Sequence, residues 1–298
     1  MIEQGQIEFS PHPLVTFTWR PDDPKKAVRG VIAAWHGFGV HARLCFHHLG
    51  PFFAERGWIV VAPDMPGLGH WPEPRGMPGH WKLVPAATTA LLRMAREIAG
   101  DKPVVLLGSS LGGLAAIDHV LRREEMGVDI ARQVDAVVAL VPGIGVPSLP
   151  WYLMVLAGMA FLFAPRARIG LKKYTRLASH DPDSIILHPQ PDPDPYMLEK
   201  VSIGFLVGFY LTMRKSGIKG RGQARWDPRI PLYLVSAGKD DMVNPAHVKE
   251  FHDGLPPGTT SALLHRENDY HGVVYEADRD EIFEEIHKFL VKTLHFEE

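Results

Sequence analysis

The chain has a single cysteine, Cys45, among its 298 residues. An internal disulfide is therefore excluded, and so low a cysteine content is typical of proteins that work in a reducing compartment. The chain also lacks a charge excess, with 32 lysines and arginines against 34 aspartates and glutamates. This balance gives no broad basic surface of the kind that nucleic acids require, so we expect no nucleic-acid partner.

No hydrophobic run is long enough to cross a membrane. The longest apolar segment, residues 151–164, falls short of the ~20 residues that span a bilayer as a helix. The first residues, MIEQGQIEFSPHP, show neither the basic start nor the apolar stretch of a secretion signal. We therefore expect a soluble, cytoplasmic protein.

Sixteen histidines raise the question of a metal site, yet the usual zinc-binding spacings are missing. The sequence contains no H-E-x-x-H and no C-x-x-C, and the neighbours His47 and His48 would point in different directions on a helix. We expect neither a metal nor another cofactor.

What the sequence does contain is an alternation of short apolar runs with longer helical patterns. Seven runs have the character of β-strands, and they begin at Leu14, Val28, Trp58, Pro103, Asp135, Pro231 and Thr260. Helical patterns lie between them, near residues 43–56, 82–99, 111–125, 245–253 and 279–293. Several strands are continuously apolar, as expected for parallel strands covered on both faces. These features predict an α/β fold with a mostly parallel, doubly wound sheet flanked by helices, in which the alternating Leu14 strand belongs to an antiparallel edge.

The alternation stops between residues 143 and 228. No strand pattern occurs there, and two segments, 151–164 and 201–213, are apolar nearly all round. An insertion of this size before the sheet resumes predicts a mainly helical cap. We therefore expect a core of residues 1–142 and 229–298 and a cap or lid of residues 143–228.

A G-x-S-x-G motif lies at one strand-to-helix turn. In Gly108-Ser109-Ser110-Leu111-Gly112 the central residue is Ser110. Small flanking residues are needed in such a turn because the nucleophile adopts strained backbone angles and the adjacent strand and helix pass close by. Taken alone, the pentapeptide is equally compatible with a serine that caps an ordinary helix.

Partners for a serine nucleophile follow in the order acid, then histidine. The acids Asp240 and Asp241 come after the Pro231 strand, and His271 comes after the last strand. We predict that His271 accepts the Ser110 proton and that Asp241 fixes its tautomer. A histidine that merely caps the next helix is the alternative, but three roles at three consecutive strand ends favour a triad.

A second donor for an oxyanion hole is predicted in the loop after the Val28 strand. This loop reads His36-Gly37-Phe38-Gly39, and its glycines allow the backbone to approach a substrate. The Phe38 N–H would then act together with the Leu111 N–H, which lies at the positive end of a helix dipole.

With HGFG, GSSLGG, the acid after GKD and the late His-Gly, the sequence resembles the α/β-hydrolase superfamily. Within it, the chain is similar to the monoacylglycerol lipase and lysophospholipase branch, also called the serine aminopeptidase-like hydrolases. The resemblance covers nearly the whole chain and places the cap after strand 6 of the family's sheet. It implies a triad of Ser110, Asp241 and His271, with Phe38 and Leu111 as the oxyanion-hole donors.

The resemblance also selects between the two neighbouring acids. The family's acid lies three places after a strand-ending glycine, here Gly238, which points to Asp241 rather than Asp240. Two positions depart from the family pattern. Ser109 stands where many relatives have His or Glu, and the D-x-x-G-x-G-x-S loop, residues 64–71, ends in tryptophan.

The cap bears on the substrate. All-apolar helices are usually buried, so its two apolar segments are explained either by an interface with the sheet or by a lid that lines an acyl tunnel and touches lipid. Residues 143–228 contain 11 lysines and arginines against 6 aspartates and glutamates. A basic cluster follows the first apolar segment: Arg166, Arg168, Lys172, Lys173 and Arg176. A solvated surface explains each charge singly, whereas the combination suits an anionic membrane or a phosphate headgroup.

The leading hypothesis is a serine hydrolase that cleaves carboxylic esters of single-chain lipids, monoacylglycerol or lysophospholipid, through an acyl-enzyme. Its expected partners are a small lipid ester and, through the cap, a membrane surface; the oligomeric state stays open. A peptidase, a thioesterase and a general carboxylesterase also stay open, because fold and triad do not fix the leaving group. The alternative from another class is a receptor-like ligand-binding α/β-hydrolase with weak hydrolysis.

Overall fold

A computed structural model describes residues 2–23, 25–122, 125, 127, 129–145, 151–171, 179–180 and 194–296. Its strands are β1 (Ile2–Ile7), β2 (Leu14–Trp19), β3 (Gly30–Trp35), β4 (Trp58–Pro63), β5 (Val104–Ser109), β6 (Ala136–Leu140), β7 (Arg168–Gly170), β8 (Lys200–Ser202), β9 (Leu232–Ala237) and β10 (Ser261–Arg266). Its α-helices are α1 (Ala42–Cys45), α2 (Leu49–Glu55), α3 (His80–Ala99), α4 (Leu111–Leu121), α5 (Trp151–Phe163), α6 (Ile203–Ser216), α7 (Pro245–Asp253) and α8 (Arg279–Thr293). Short 3-10 turns occupy Ile130–Arg132, Ile218–Gly220, Gln223–Arg225 and Val273–Tyr275.

Eight of these strands form one twisted sheet in the order β1-β2-β4-β3-β5-β6-β9-β10. The six strands from β4 to β10 in that order run parallel, whereas β1 and β2 pair antiparallel with their neighbours. Every residue of β3, β4, β5, β6 and β9 is buried, because helices cover both faces of the sheet. The prediction of a mostly parallel, doubly wound sheet flanked by helices is confirmed.

The Leu14 strand belongs to an antiparallel edge of the sheet, as predicted, but β1, which was not predicted, pairs with it along Ile2–Ile7 and lies outside it. That outer strand is polar and almost wholly exposed, so it carries no apolar alternation by which it could be recognised. The single helix predicted near residues 43–56 was wrong in one respect, because the structure divides it into α1 and α2. Within α2, Gly50 packs directly against the Trp19 ring, which would lie 2.4 Å from a Cβ at position 50.

The insertion lies between two neighbouring strands of the sheet. Because β6 and β9 pair directly, the chain between them leaves the sheet and returns to it. This segment contains α5 and α6, and also the antiparallel pair β7–β8, which the sequence analysis did not predict. Each of those strands has three residues, too few to show a periodic pattern. The division at 142/143 and 228/229 stays a prediction, and Lys172, Lys173 and Arg176 lie outside the described residues.

Among the helices of the described residues, none has the length and apolarity needed to cross a membrane.

Candidate active site

Ser110 lies at the turn between β5 and α4, at the carboxyl edge of the sheet. Its backbone has φ 53° and ψ −110°, a conformation that residues with a side chain rarely adopt. A Cβ at Gly108 would lie 2.1 Å from the Gly112 carbonyl oxygen, and one at Gly112 would lie 2.0 Å from the Trp35 carbonyl oxygen. The two glycines are therefore required for the turn to close, and the turn holds the Ser110 side chain away from the sheet.

The structure brings Ser110 and His271 together as predicted. His271 Nε2 lies 2.7 Å from Ser110 Oγ, and His271 Nδ1 lies 2.7 Å from Asp240 Oδ2. The Asp240 side chain is 2% exposed and that of His271 is 12% exposed. A carboxylate at Nδ1 stabilises the tautomer with its proton on that nitrogen, which leaves Nε2 free to accept the serine proton.

The prediction that Asp241 bonds to His271 was wrong, because Asp240 makes this contact. The other carboxylate oxygen of Asp240, Oδ1, accepts hydrogen bonds from the backbone N–H groups of Met242 and Val243, at 2.9 and 2.8 Å. This Asx-type turn fixes one oxygen of Asp240 and directs the second toward the imidazole. The turn leaves Asp241 exposed to solvent. Counting from Gly238 identified the correct loop and missed the residue by one position.

The two predicted oxyanion donors lie on either side of the serine. Leu111 is the first residue of α4, so its N–H is among those that the helix cannot pair internally. The loop that contains Phe38 passes close to Ser110, since the nearest atom to a Cβ built at Gly37 is Ser110 Cβ, at 3.6 Å. Gly39 has φ +82°, which bends the loop away after Phe38. The donor roles of Phe38 and Leu111 stay predictions.

The His36 side chain connects the loop that contains Phe38 to the loop after β4. Its Nε2 accepts the Met65 N–H at 2.9 Å, so its proton is on Nδ1, which lies 2.8 Å from the Gly37 carbonyl oxygen. Burial lowers the pKa of His36, although the nearby Asp64 carboxylate opposes this shift. The first residue of HGFG is thus a neutral structural histidine.

Asp64, which the sequence analysis did not single out, organises the neighbouring loops. Its carboxylate accepts the Ala42 N–H and the His70 N–H, both at 2.8 Å, and lies 2.5 Å from His70 Nδ1. Burial would raise the pKa of Asp64, but the hydrogen bonds from His70 and Ala42 hold it below its usual value. The Asp-x-x-Gly-x-Gly spacing was the available signal, since a Cβ at Gly69 would lie 2.3 Å from the Asp64 carboxyl carbon.

Aromatic side chains of the cap and core pack together near Ser110. The Phe38 ring lies 5.9 Å from the Phe205 ring of α6, and the Trp81 ring lies 5.9 Å from that of Phe209, also on α6. Phe209 also reaches the turn between β5 and α4 that carries Ser110, called the elbow below. Its ring atoms lie 3.4 Å from a Cβ built at Gly143, whose N–H donates to the Ser110 carbonyl oxygen at 3.0 Å. An aromatic side chain of α6 is therefore in contact with the backbone beside Ser110.

Two hydrogen bonds fasten the cap beside this aromatic surface. The Trp81 Nε1–H donates to Thr212 Oγ1 at 2.7 Å, which joins α3 to α6. The Leu198 N–H donates to the Gly39 carbonyl oxygen at 2.9 Å, which joins the cap to the loop of Phe38.

Ser109 faces away from the reaction centre. It is 7% exposed and lies near the buried thiol of Cys45, on the side of the sheet that also holds Tyr275. Burial raises the pKa of Cys45 to about 11, despite hydrogen bonds that oppose the shift, so this thiol is neutral near pH 7. Within the described part of the chain, no group of three or more His, Cys, Asp or Glu residues is placed to hold a metal ion.

Known proteins are similar to this chain over most of their length. The profile of the Hydrolase_4 family, described as serine aminopeptidase, S33, matches residues 26–278. Phospholipase YtpA of Bacillus subtilis (strain 168) is 24% identical over 275 residues, which cover 92% of this chain and 98% of that protein.

Solved structures of low sequence identity show the same fold. The monoacylglycerol lipase of Paleococcus ferrophilus has a TM-score of 0.75 at 20% identity, over 94% of this chain and 99% of the other. A soluble variant of the monoglyceride lipase from Saccharomyces cerevisiae, in complex with a substrate analog, has a TM-score of 0.79 at 16% identity, over 98% and 95% of the two chains. Since the family match spans most of the sequence, the chain belongs to the Hydrolase_4 (serine aminopeptidase, S33) family of α/β-hydrolases, which confirms the predicted superfamily and the prediction of an enzyme.

Proposed function

We propose that the protein hydrolyses carboxylic esters of single-chain lipids, monoacylglycerol or lysophospholipid, with Ser110 as the nucleophile. The observation that carries this proposal is the continuous line of two 2.7 Å contacts from Ser110 through His271 to Asp240, beneath an apolar cap. A hydroxyl held this way is activated for attack on a carbonyl carbon.

The reaction would proceed in two halves. In the first, Ser110 Oγ attacks the ester carbonyl while His271 Nε2 takes the serine proton, and Asp240 stabilises the resulting imidazolium. The oxyanion is stabilised by the N–H groups of Phe38 and Leu111, and its collapse expels the alcohol, which receives the proton from His271. In the second half, a water molecule attacks the acyl-enzyme with the same proton transfers, and releases the fatty acid and Ser110.

The preference for a lipid acyl chain is supported by the surroundings of the serine. The partly exposed rings of Phe38 and Phe209, packed on the buried rings of Trp81 and Phe205, would form an apolar wall for the acyl chain. Burying each CH₂ of an acyl chain there contributes about 0.8 kcal/mol. Two solved relatives are described as monoacylglycerol or monoglyceride lipases, and the Bacillus protein as a phospholipase.

Membrane contact through the cap is supported by the outer face of α5. Large apolar side chains there are exposed: Leu156 by 60%, Met159 by 50%, Leu162 by 72% and Phe163 by 79%. The exposed Arg166 and Arg168 follow directly, so apolar and cationic groups share one end of the cap. Such a surface fits the interface of a membrane with anionic lipid.

Labelling with a fluorophosphonate, combined with turnover of an ester panel graded by chain length, tests the activity. Labelling at Ser110 with rapid turnover of long-chain monoacyl esters is expected. Labelling without turnover would favour a receptor-like protein, and turnover of amides alone would favour a peptidase.

Liposome co-sedimentation tests the membrane contact. Replacing Leu162 and Phe163 together by serine is expected to weaken binding to vesicles that contain phosphatidylglycerol. The matched control is Ile2→Ser, an exposed apolar side chain on the edge strand β1, where Ile2 is 42% exposed. Equal binding by all three proteins would contradict a membrane role for α5.

A further inference from the structure

A second buried carboxylate, which the proposed reaction does not use, lies directly behind the loop of the catalytic histidine. Glu276 is 1% exposed and follows the turn Val273–Tyr275. Its Oε1 accepts the backbone N–H of Tyr270 at 2.9 Å. Since Tyr270 immediately precedes His271, this hydrogen bond fixes the backbone from which the imidazole projects.

The other oxygen of the same carboxylate holds a piece of the cap. Glu276 Oε2 accepts the His180 N–H at 2.7 Å and lies 3.3 Å from Ser179 Oγ. Ser179 Oγ also donates to the Tyr275 carbonyl oxygen at 2.7 Å. The His180 ring lies 4.3 Å from the Tyr270 ring, so the two segments joined by Glu276 also touch each other.

The energetics of burial show why a carboxylate is needed at this position. A buried charge is costly unless hydrogen bonds to it replace water. Here one oxygen takes a backbone N–H from the His271 loop, and the other takes one from a segment 96 residues away in the chain. A side chain without two acceptor atoms would leave one of these N–H groups unsatisfied in the interior.

We propose that Glu276 is a positioning residue that joins the His271 loop to cap residues Ser179 and His180, so that the placement of the cap and of the imidazole is coupled. This inference rests on the proposed function, since it assigns the connection that Glu276 makes between the two segments a role in ester hydrolysis. The His271 Nε2 to Ser110 Oγ contact of 2.7 Å depends on where the loop lies. A misplacement of about 1 Å in a catalytic group can lower the rate on the order of a hundredfold.

The test compares Glu276→Gln with wild type on p-nitrophenyl butyrate, with kcat calculated per fluorophosphonate-titrated site. Glutamine has nearly the same shape but one acceptor oxygen and one NH₂, so one of the two backbone donors meets another donor. We expect kcat to fall about tenfold or more, with KM within about twofold, because the loss of a buried charged hydrogen bond is of that size. The matched control is Glu267→Gln, since that side chain is on the same loop but 84% exposed, and its kinetics should equal wild type.

Hydrogen exchange measured on the peptide that covers residues 267–276 tests, without any substrate, whether Glu276 holds the His271 loop in place. Faster exchange in Glu276→Gln, and in Ser179→Ala, which alters the cap side alone, is expected. Ser179→Ala keeps the test available if Glu276→Gln fails to fold. It should lower kcat several-fold on the same ester.

Two results would overturn the inference. One is a Glu276→Gln enzyme with wild-type kcat and a lower melting temperature, which would make Glu276 a stabilising residue alone. The other is unchanged exchange over 267–276 in both variants. Absence of ester turnover in the wild type would instead refute the proposed function, and the exchange data would still decide whether Glu276 ties the loop.

Discussion

Helices α4 and α5 have similarly apolar sequences and opposite surroundings. All 11 residues of α4 are buried, including Asp118 and His119, because the helix lies between the sheet, α3 and α6. Helix α5 packs against α6, and its described side chains at Leu156, Met159, Leu162 and Phe163 are between 50% and 79% exposed. Apolar composition alone therefore does not show whether a helix is buried in the protein or what covers its apolar face.

The different surroundings of the two helices fit two different roles. Helix α4 begins directly after Ser110, the proposed nucleophile, and is packed on all sides by its neighbours, as a precise site requires. Helix α5 leaves an apolar face without cover in the described structure, which fits a surface that meets lipid. Pairs of similar residues, one covered and one exposed, should therefore respond very differently to the same substitution.

The largest contrast is expected at the two serines that precede α4. Ser110→Ala should reduce ester turnover on the order of 10⁶-fold, the size seen when the nucleophile of such a triad is removed. Ser109→Ala should keep most activity, because Ser109 faces Cys45 on the other side of the elbow. Equal losses in two folded variants, measured as kcat/KM on one ester, would mean that the elbow is misassigned.

The adjacent acids give the next contrast. Asp240→Asn should lower kcat about 10⁴-fold, since an amide at His271 Nδ1 stabilises the wrong tautomer. Asp241→Asn should be nearly silent because its side chain is exposed. Steady-state kinetics of the two variants decide the matter, and an inactive Asp241→Asn with an active Asp240→Asn would restore the original assignment.

Stability should separate the two helices directly. Leu114→Ala in α4 removes a fully buried side chain and should lower the free energy of unfolding by about 2–5 kcal/mol. Leu162→Ala in α5, where the leucine is 72% exposed, should change it by less than about 0.5 kcal/mol. Denaturant titration gives both values, and a large loss for Leu162→Ala would show that α5 is covered in solution.

The smallest expected effects concern chain-length selectivity. Leu156→Ser and Phe161→Ser, at side chains 60% and 38% exposed, should lower kcat/KM for a C16 monoacyl ester several-fold through lost apolar contact. Hydrolysis of p-nitrophenyl acetate should be almost unchanged, because its acyl group is too short to reach α5. A uniform loss on both substrates with a lower melting temperature would assign these residues to the structural core.

The sequence was most informative where one local pattern determines one structure. The buried parallel strands, the helix Pro245–Asp253 and the elbow at Ser110 follow from apolar runs, an Asn-Pro start and close-packed glycines. The choice between Asp240 and Asp241 did not follow, since it depends on a turn that directs one carboxylate inward. Glu276 gave no signal at all, because the cap segment that it holds lies 96 residues away in the chain.

The cap was the least predictable region. Its two segments of similar apolarity lie in different surroundings, and its β7–β8 pair is too short to be recognised. Burial of such segments is decided by tertiary contacts that a local pattern does not contain.

The central claim, that Ser110 beneath this cap cleaves esters of long acyl chains, is tested most directly by one series of kcat/KM values. The wild-type enzyme would be assayed on p-nitrophenyl esters from C2 to C10, each below its aggregation limit. The account predicts that kcat/KM rises with chain length, by up to about fourfold for each CH₂ that enters the aromatic wall. A maximum at C2, or a flat profile, would contradict a lipid substrate.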